Sequence, residues 1–123
     1  MKAKLKSTES QEQQALFEWA ETMEYKYPEL KLMYHIPNGG LRNKTVAAKL
    51  KLEGVKSGVP DIFLPVAKLN FHGLYIEIKA EKGKLSENQK KWHEKLRNQG
   101  YRAITCWGWE EAKTMIESYL KWI

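Results

Sequence analysis

The chain has 123 residues, of which 42% are hydrophobic and 29% charged, with only eight Gly and four Pro; this is the composition of a folding globular protein, neither disordered nor fibrous. Its size predicts one domain, residues 1–123 with a core over about 8–122, in which roughly two thirds of the unfolded surface is buried. No apolar run reaches the ~18 residues of a membrane span, the N-terminus has no apolar signal core, and a lone Cys106 excludes an internal disulfide framework, so a cytoplasmic protein is expected.

The net charge of +6 is unevenly spread. Ser7 to Leu30 carries six glutamates against Lys26, a net of −5, whereas Gly40 to Gly58 is +4 and Lys79 to Arg102 is +5. Lysines on an amphipathic helix are ordinarily just its solvated face. Two basic segments in so small a chain point further, to phosphate.

In chain order, Thr8 with Gln11 forms a capping box, and Ala15, Leu16, Trp19, Ala20 and Met23 recur at helical spacing up to the break at Tyr27-Pro28. Leu30 to Ile36 reads as a first strand, ended by the turn cluster Pro37-Asn38-Gly39-Gly40. Val46, Ala47 and Leu50 with a Gly54 stop predict a second helix. Val59 to Val66 and Leu74 to Ala80 predict a hairpin with a long connection. Ser86 with Gln89 is a second capping box, opening a helix with the stripe Gln89, Trp92, His93 and Leu96, which Gly100 ends. Tyr101 to Trp107 is the last strand, and Trp109 to Ile123 a final amphipathic helix. The order α-β-α-β-β-α-β-α predicts an α/β protein with a mixed sheet flanked by helices.

No zinc pattern, phosphate loop, dinucleotide fingerprint or nucleophile signature is present, and no organic cofactor is expected. What stands out is polarity on strands that ought to be apolar. Asp61 sits inside Val59-Pro60-Asp61-Ile62-Phe63-Leu64, where an unpartnered buried carboxylate costs several kcal/mol. In Tyr75-Ile76-Glu77-Ile78-Lys79 the period of two puts Tyr75, Glu77 and Lys79 on one face. If the two strands pair, Asp61 approaches Glu77 and Lys79. Converging carboxylates suit a hard cation such as Mg²⁺, with water and substrate phosphate completing its shell, and a neighbouring lysine can orient the attacking water or stabilise developing charge. The plain alternative is a solvated hairpin face, with Glu77 and Lys79 an ordinary pair and Asp61 a turn residue after Pro60.

At these residues the sequence resembles the PD-(D/E)xK nuclease superfamily, with Pro60-Asp61 followed by Glu77-Ile78-Lys79. The surrounding Pro37-Asn38-Gly39-Gly40, Gly54 to Asp61, Gly73 to Lys79, Leu85 to Gln89 and Gly100-Tyr101 are similar, in that order, to the VRR-NUC domain, particularly its small stand-alone phage and prophage versions. The resemblance covers roughly Glu9 to Leu120 and implies a restriction-endonuclease-like core. It also implies an endonuclease that hydrolyses DNA phosphodiesters with Mg²⁺ or Mn²⁺. Asp61 and Glu77 would bind the metal, the Ile78 carbonyl would add a ligand, and Lys79 would serve the water. A first-helix glutamate belongs at such a site, and both Glu9 and Glu12 qualify, sharing a helical face. Gln89 matches the family's Ser-x-x-Gln motif and is expected to support catalysis as well as to cap its helix. Asn38, Arg42, Lys44, Lys49, Lys51 and Lys56 are expected to bind nucleic acid. Likeness to junction resolvases extends the expectation to a homodimer that cuts branched DNA such as a four-way (Holliday) junction. The rivals are a catalytically silent DNA-binding module and an RNA endonuclease on the same scaffold. Trp92, Trp107, Trp109, Tyr119 and Trp122 are read as core or dimer interface.

Overall fold

A computed structural model describes residues 7–38 and 43–122. The first helix, α1 (Glu9–Thr22), starts where expected: the Thr8 hydroxyl accepts from the Gln11 amide while the Gln11 side chain accepts from the Thr8 amide. It stops at Thr22, short of the predicted Tyr27-Pro28 break. Leu30 to Ile36 is not one strand. Pro28, whose ring presets φ and has no N–H to offer, opens a 3₁₀ turn over Pro28–Leu32, and only Tyr34–His35 remains as β1.

The second helix, α2 (Lys44–Leu52), is capped by the Asn43 side chain, which accepts from the Val46 amide at 2.8 Å, and none of its residues is buried. β2 shortens to Ile62–Leu64, because Pro60 and Pro65 bracket it and cannot donate to a ladder. β3 (Leu74–Lys79) is the fully hydrogen-bonded centre. α3 (Glu87–Asn98) opens on the predicted box of Ser86 and Gln89, β4 covers Arg102–Trp107, and α4 covers Trp109–Leu120.

The four strands form one mixed sheet in the order β1-β2-β3-β4, antiparallel except for the parallel pair β3-β4. Ile62 and Leu64, with Leu74, Ile76 and Ile78, share one face with Ile104 and Cys106. α1 and α4 pack on β3, with α4 also on β4, and the two helices pack on each other; Leu16, Ala112, Ile116 and Tyr119 close the core. Each fully buried Leu or Ile contributes about 1.5–3 kcal/mol, so this face anchors the sheet. Burial of Cys106 pushes its thiol up to about 12, and it acts as a small apolar residue of that core. α3 packs against β4, where the Arg97 guanidinium donates to the Ala103 carbonyl at 2.7 and 3.1 Å. Among the described residues no helix is long and apolar enough to cross a membrane.

Candidate active site

The register Ile62↔Ile76 and Phe63↔Tyr75, carried one residue further, sets Asp61 opposite Glu77. Asp61 lies just before β2, held by backbone on both sides. Its carbonyl accepts from the Ile36 amide at 2.7 Å, and its carboxylate Oδ2 accepts from the Ile78 amide at 2.8 Å. The Asn38 amide reaches the other oxygen at 3.4 Å. A short aspartate between Pro60 and an edge pairing is thus held in a fixed orientation.

Glu77 is 1% exposed and its Oε1 has no hydrogen-bond partner among the described residues. Removal from water pushes its carboxyl up to about 10, helped by a side-chain hydrogen bond with Asp61 and by that residue's charge; Lys79 opposes the rise and Glu9 adds to it. Without a cation, therefore, the Glu77 carboxyl favours its protonated form. Lys79 follows on the same face and is 7% exposed, its stem buried. The only ion pair among the described residues, Lys90 with Glu87, lies on the exposed surface of α3, so none neutralises the buried carboxylates. Nor, among the described residues, do three His, Cys, Asp or Glu side chains come together as a metal cage.

The two first-helix glutamates separate. Glu12 Oε1 accepts from the Trp109 amide at 2.9 Å, at the first turn of α4, where orphan N–H groups and the helix dipole favour a carboxylate. Gly108, the residue before α4, has φ +92° and leaves room for that carboxylate, since a Cβ there would stand 3.2 Å from Glu12 Oε1. Among the described residues Glu9 has no such engagement, and its charge is felt at Glu77. Glu18 and Glu21 are exposed and Glu24 is half-buried.

Gln89 accepts from the Ser86 amide at 2.8 Å and also lines a groove of about 720 Å³ together with Asn38, Lys51, Lys56, Ser57 and Asn88. Lys44, Lys49, Lys51 and Lys56 are all exposed, three of them on α2 and Lys56 in the following loop; Arg42 lies outside the described residues. The loop leading to Asp61 is latched to α3. Asn88 donates to the Ser57 carbonyl at 2.8 Å, and Gly58, at φ +95°, packs so closely that a Cβ would come within 2.8 Å of the Trp92 ring. The sequence reading missed this latch, the use of Glu12 at α4, and the reach of Asn38 to Asp61. It also missed His93, which is 1% exposed with both ring nitrogens unpartnered among the described residues. Burial, followed by the charge of Arg97, drives that ring toward its neutral form; Asp61 opposes this and Lys79 reinforces it. Of the five aromatics named as core or interface, Tyr119 is buried, Trp109 and Trp122 pack against the core, Trp92 backs Gly58, and Trp107 is exposed.

The molecule is thus an α/β domain whose mixed sheet presents an aspartate at the start of one strand, opposite a Glu-x-Lys on the next. The sequence profile of the VRR-NUC domain matches residues 7–109, which spans most of the chain. A solved structure described as a VRR_NUC domain protein is 31% identical and superimposes with a TM-score of 0.80, covering 95% of this chain and 91% of that one. No curated protein matches significantly. The chain belongs to the VRR-NUC family.

Proposed function

We propose that the chain is a divalent-metal-dependent endonuclease that hydrolyses phosphodiester bonds of DNA. The carrying observation is the pairing of Asp61 with Glu77, which leaves a buried glutamate oxygen without a partner beside a second carboxylate. Burying like charges together is unfavourable in itself, and a small hard cation is the group that relieves it. Mg²⁺ or Mn²⁺ fits this donor set, because such ions take one or two carboxylates and fill their remaining positions from water and substrate phosphate.

Asp61, Glu77 and the Ile78 carbonyl would hold the ion. Of the two first-helix glutamates, Glu9 is the one left to approach the ion, since an oxygen of Glu12 is engaged at α4, although its carboxylate does not cluster with Asp61 and Glu77 in this structure. When bound, the ion supplies Lewis acidity toward the phosphoryl oxygens. The chain does the rest. The Ile78 amide and Asn38 fix the Asp61 carboxylate, so little reorganisation is needed when substrate enters. Lys79, held by its buried stem, orients the attacking water and stabilises charge growing on the phosphate. Gln89 supports the site from the mouth of the groove, and the lysines of α2 with Lys56 hold the phosphate backbone.

The finer reading is a homodimer acting on branched DNA, since a two-fold axis sets two sites on opposed strands. Four-way, flap and linear DNA, with RNA beside them, tested with and without Mg²⁺ or Mn²⁺, form the experiment. Cleavage of DNA only with metal, fastest on the four-way junction and by a sedimenting dimer, is expected. Cleavage without metal, or of RNA in preference, would overturn the reading, and a monomer cutting linear DNA equally well would remove its branched-DNA part.

A further inference from the structure

The register that sets Asp61 opposite Glu77 builds a second row beside it. Tyr34 of β1 pairs with Phe63 of β2, and Phe63 pairs with Tyr75 of β3. Residues two apart on a strand share a face and lie roughly 7 Å apart, so Phe63 and Tyr75 sit one pleat from Asp61 and Glu77, on the same side of the sheet.

These rings form a contiguous surface. Phe63 stacks on Tyr75 with centroids 4.2 Å apart, and Tyr34 meets Phe63 edge-on at 6.0 Å. Tyr101, just before β4, meets Tyr75 at 5.2 Å and Phe63 at 5.9 Å. Gly73 makes room for the Phe63 ring, because a Cβ there would stand 2.7 Å from its Cε1. Burial, then the nearness of Tyr101 and Tyr34, raises the Tyr75 phenol. The helices pack on β3 and β4, and among the described residues none packs extensively on β1 or β2. Tyr34 is 50% exposed.

The surface is too small to be the whole of a stable protein interface. Rings of this kind bury about 150–250 Å² each, and with Phe63, Tyr75 and Tyr101 mostly covered and Tyr34 half-exposed the open area falls well short of the ~800 Å² per partner of a standard complex. It does suit one flat π system. Stacking on aromatic side chains tolerates every base, because every base has a π face, and sheet faces serve as such platforms.

We propose that Tyr34, Phe63, Tyr75 and Tyr101 form a stacking platform for an unpaired nucleobase of the strand that runs past Asp61 and Glu77. The proposal rests on the nuclease reading above and adds to it the contact that would hold an unpaired base. Bases inside an intact duplex are stacked on each other and cannot occupy the platform, whereas a branch point, a flap or a frayed end offers one.

The test measures binding in EDTA to a plain duplex and to the same duplex carrying a short single-stranded flap, which contains a fluorescent adenine analogue. The wild-type protein should prefer the flap and quench the analogue. Tyr34→Ala, at a half-exposed position on a two-residue edge strand, should lower the flap-over-duplex preference by roughly 5- to 100-fold and restore the fluorescence. Tyr34→Trp, which keeps a π face, should retain both. An unquenched analogue with the wild-type protein, or a preference that Tyr34→Ala leaves intact, would overturn the platform. So would a change from dimer to monomer in Tyr34→Ala with the preference unaltered, since the face would then join two copies. Metal-dependent cleavage of plain duplex by the wild-type protein, run alongside, reports separately on the nuclease reading.

Discussion

Glu77→Gln should stabilise the metal-free protein, and should do so more strongly as the pH rises. Burial, with Asp61 as hydrogen-bond partner and neighbouring charge, lifts the Glu77 carboxyl from its ordinary 4.5 to about 10. A carboxyl whose folded pKa lies above its unfolded one gives its full contribution below the unfolded value and loses it as pH climbs toward the folded one. Each pH unit inside that window is worth about 1.4 kcal/mol, so from about pH 5.5 to about pH 7.5 the wild type should lose up to about 3 kcal/mol relative to the variant. The glutamine amide does not titrate and brings no charge toward Asp61 at any pH. For a domain of this size the melting-temperature gap should widen by up to roughly 10 °C across that range. Thermal melts followed by circular dichroism in EDTA measure it. A gap that stays constant, or narrows with rising pH, would refute the crowding of the two carboxylates. Mn²⁺ should reverse the order, stabilising the wild type and not the variant.

Lys79→Ala should still bind Mn²⁺ but lose at least ~10²-fold in single-turnover rate, as expected when a positioned acid-base or electrostatic group is removed; an unchanged rate takes Lys79 out of the mechanism. The two first-helix glutamates should part company. Glu12→Ala removes the acceptor at Trp109 and should cost about 1 kcal/mol in chemical denaturation. Glu9→Gln should instead weaken Mn²⁺ binding with little change in stability, as titration calorimetry would record; the opposite pattern would move Glu12 to the metal.

The part of the site most legible in the sequence was its centre. Parity along Tyr75 to Lys79 put Glu77 and Lys79 on one face, and the hairpin that followed from two strand-like runs brought Asp61 across from them. Both capping boxes formed because their hydrogen bonds are local, spanning three residues. The ends of elements were less legible. Apolar runs suggested long first and second strands, but the 3₁₀ turn that Pro28 opens takes Leu30 to Leu32, Pro60 and Pro65 withhold N–H groups that a ladder needs, and β1 and β2 shrink to two and three residues. Contacts between distant segments were not legible at all. Glu12 and Trp109 lie 97 positions apart, and only the packing of α1 on α4 brings them together. The aromatic row sits between these cases. The parity of Phe63 with Asp61 is written in the sequence, whereas the pairing of Tyr34 depends on the register of an edge strand.

Cleavage of labelled DNA by Asp61→Asn beside the wild-type protein, each with Mn²⁺ and with EDTA, tests the central claim most directly. Asparagine keeps an acceptor for the Ile78 amide, so the fold should survive and a lost rate can be assigned to the missing charge. The wild type should cut only with metal, and Asp61→Asn should not cut under either condition. Turnover by the folded variant at the wild-type rate, with contaminating nuclease excluded, would contradict the assignment of Asp61 and Glu77 as the metal-holding pair.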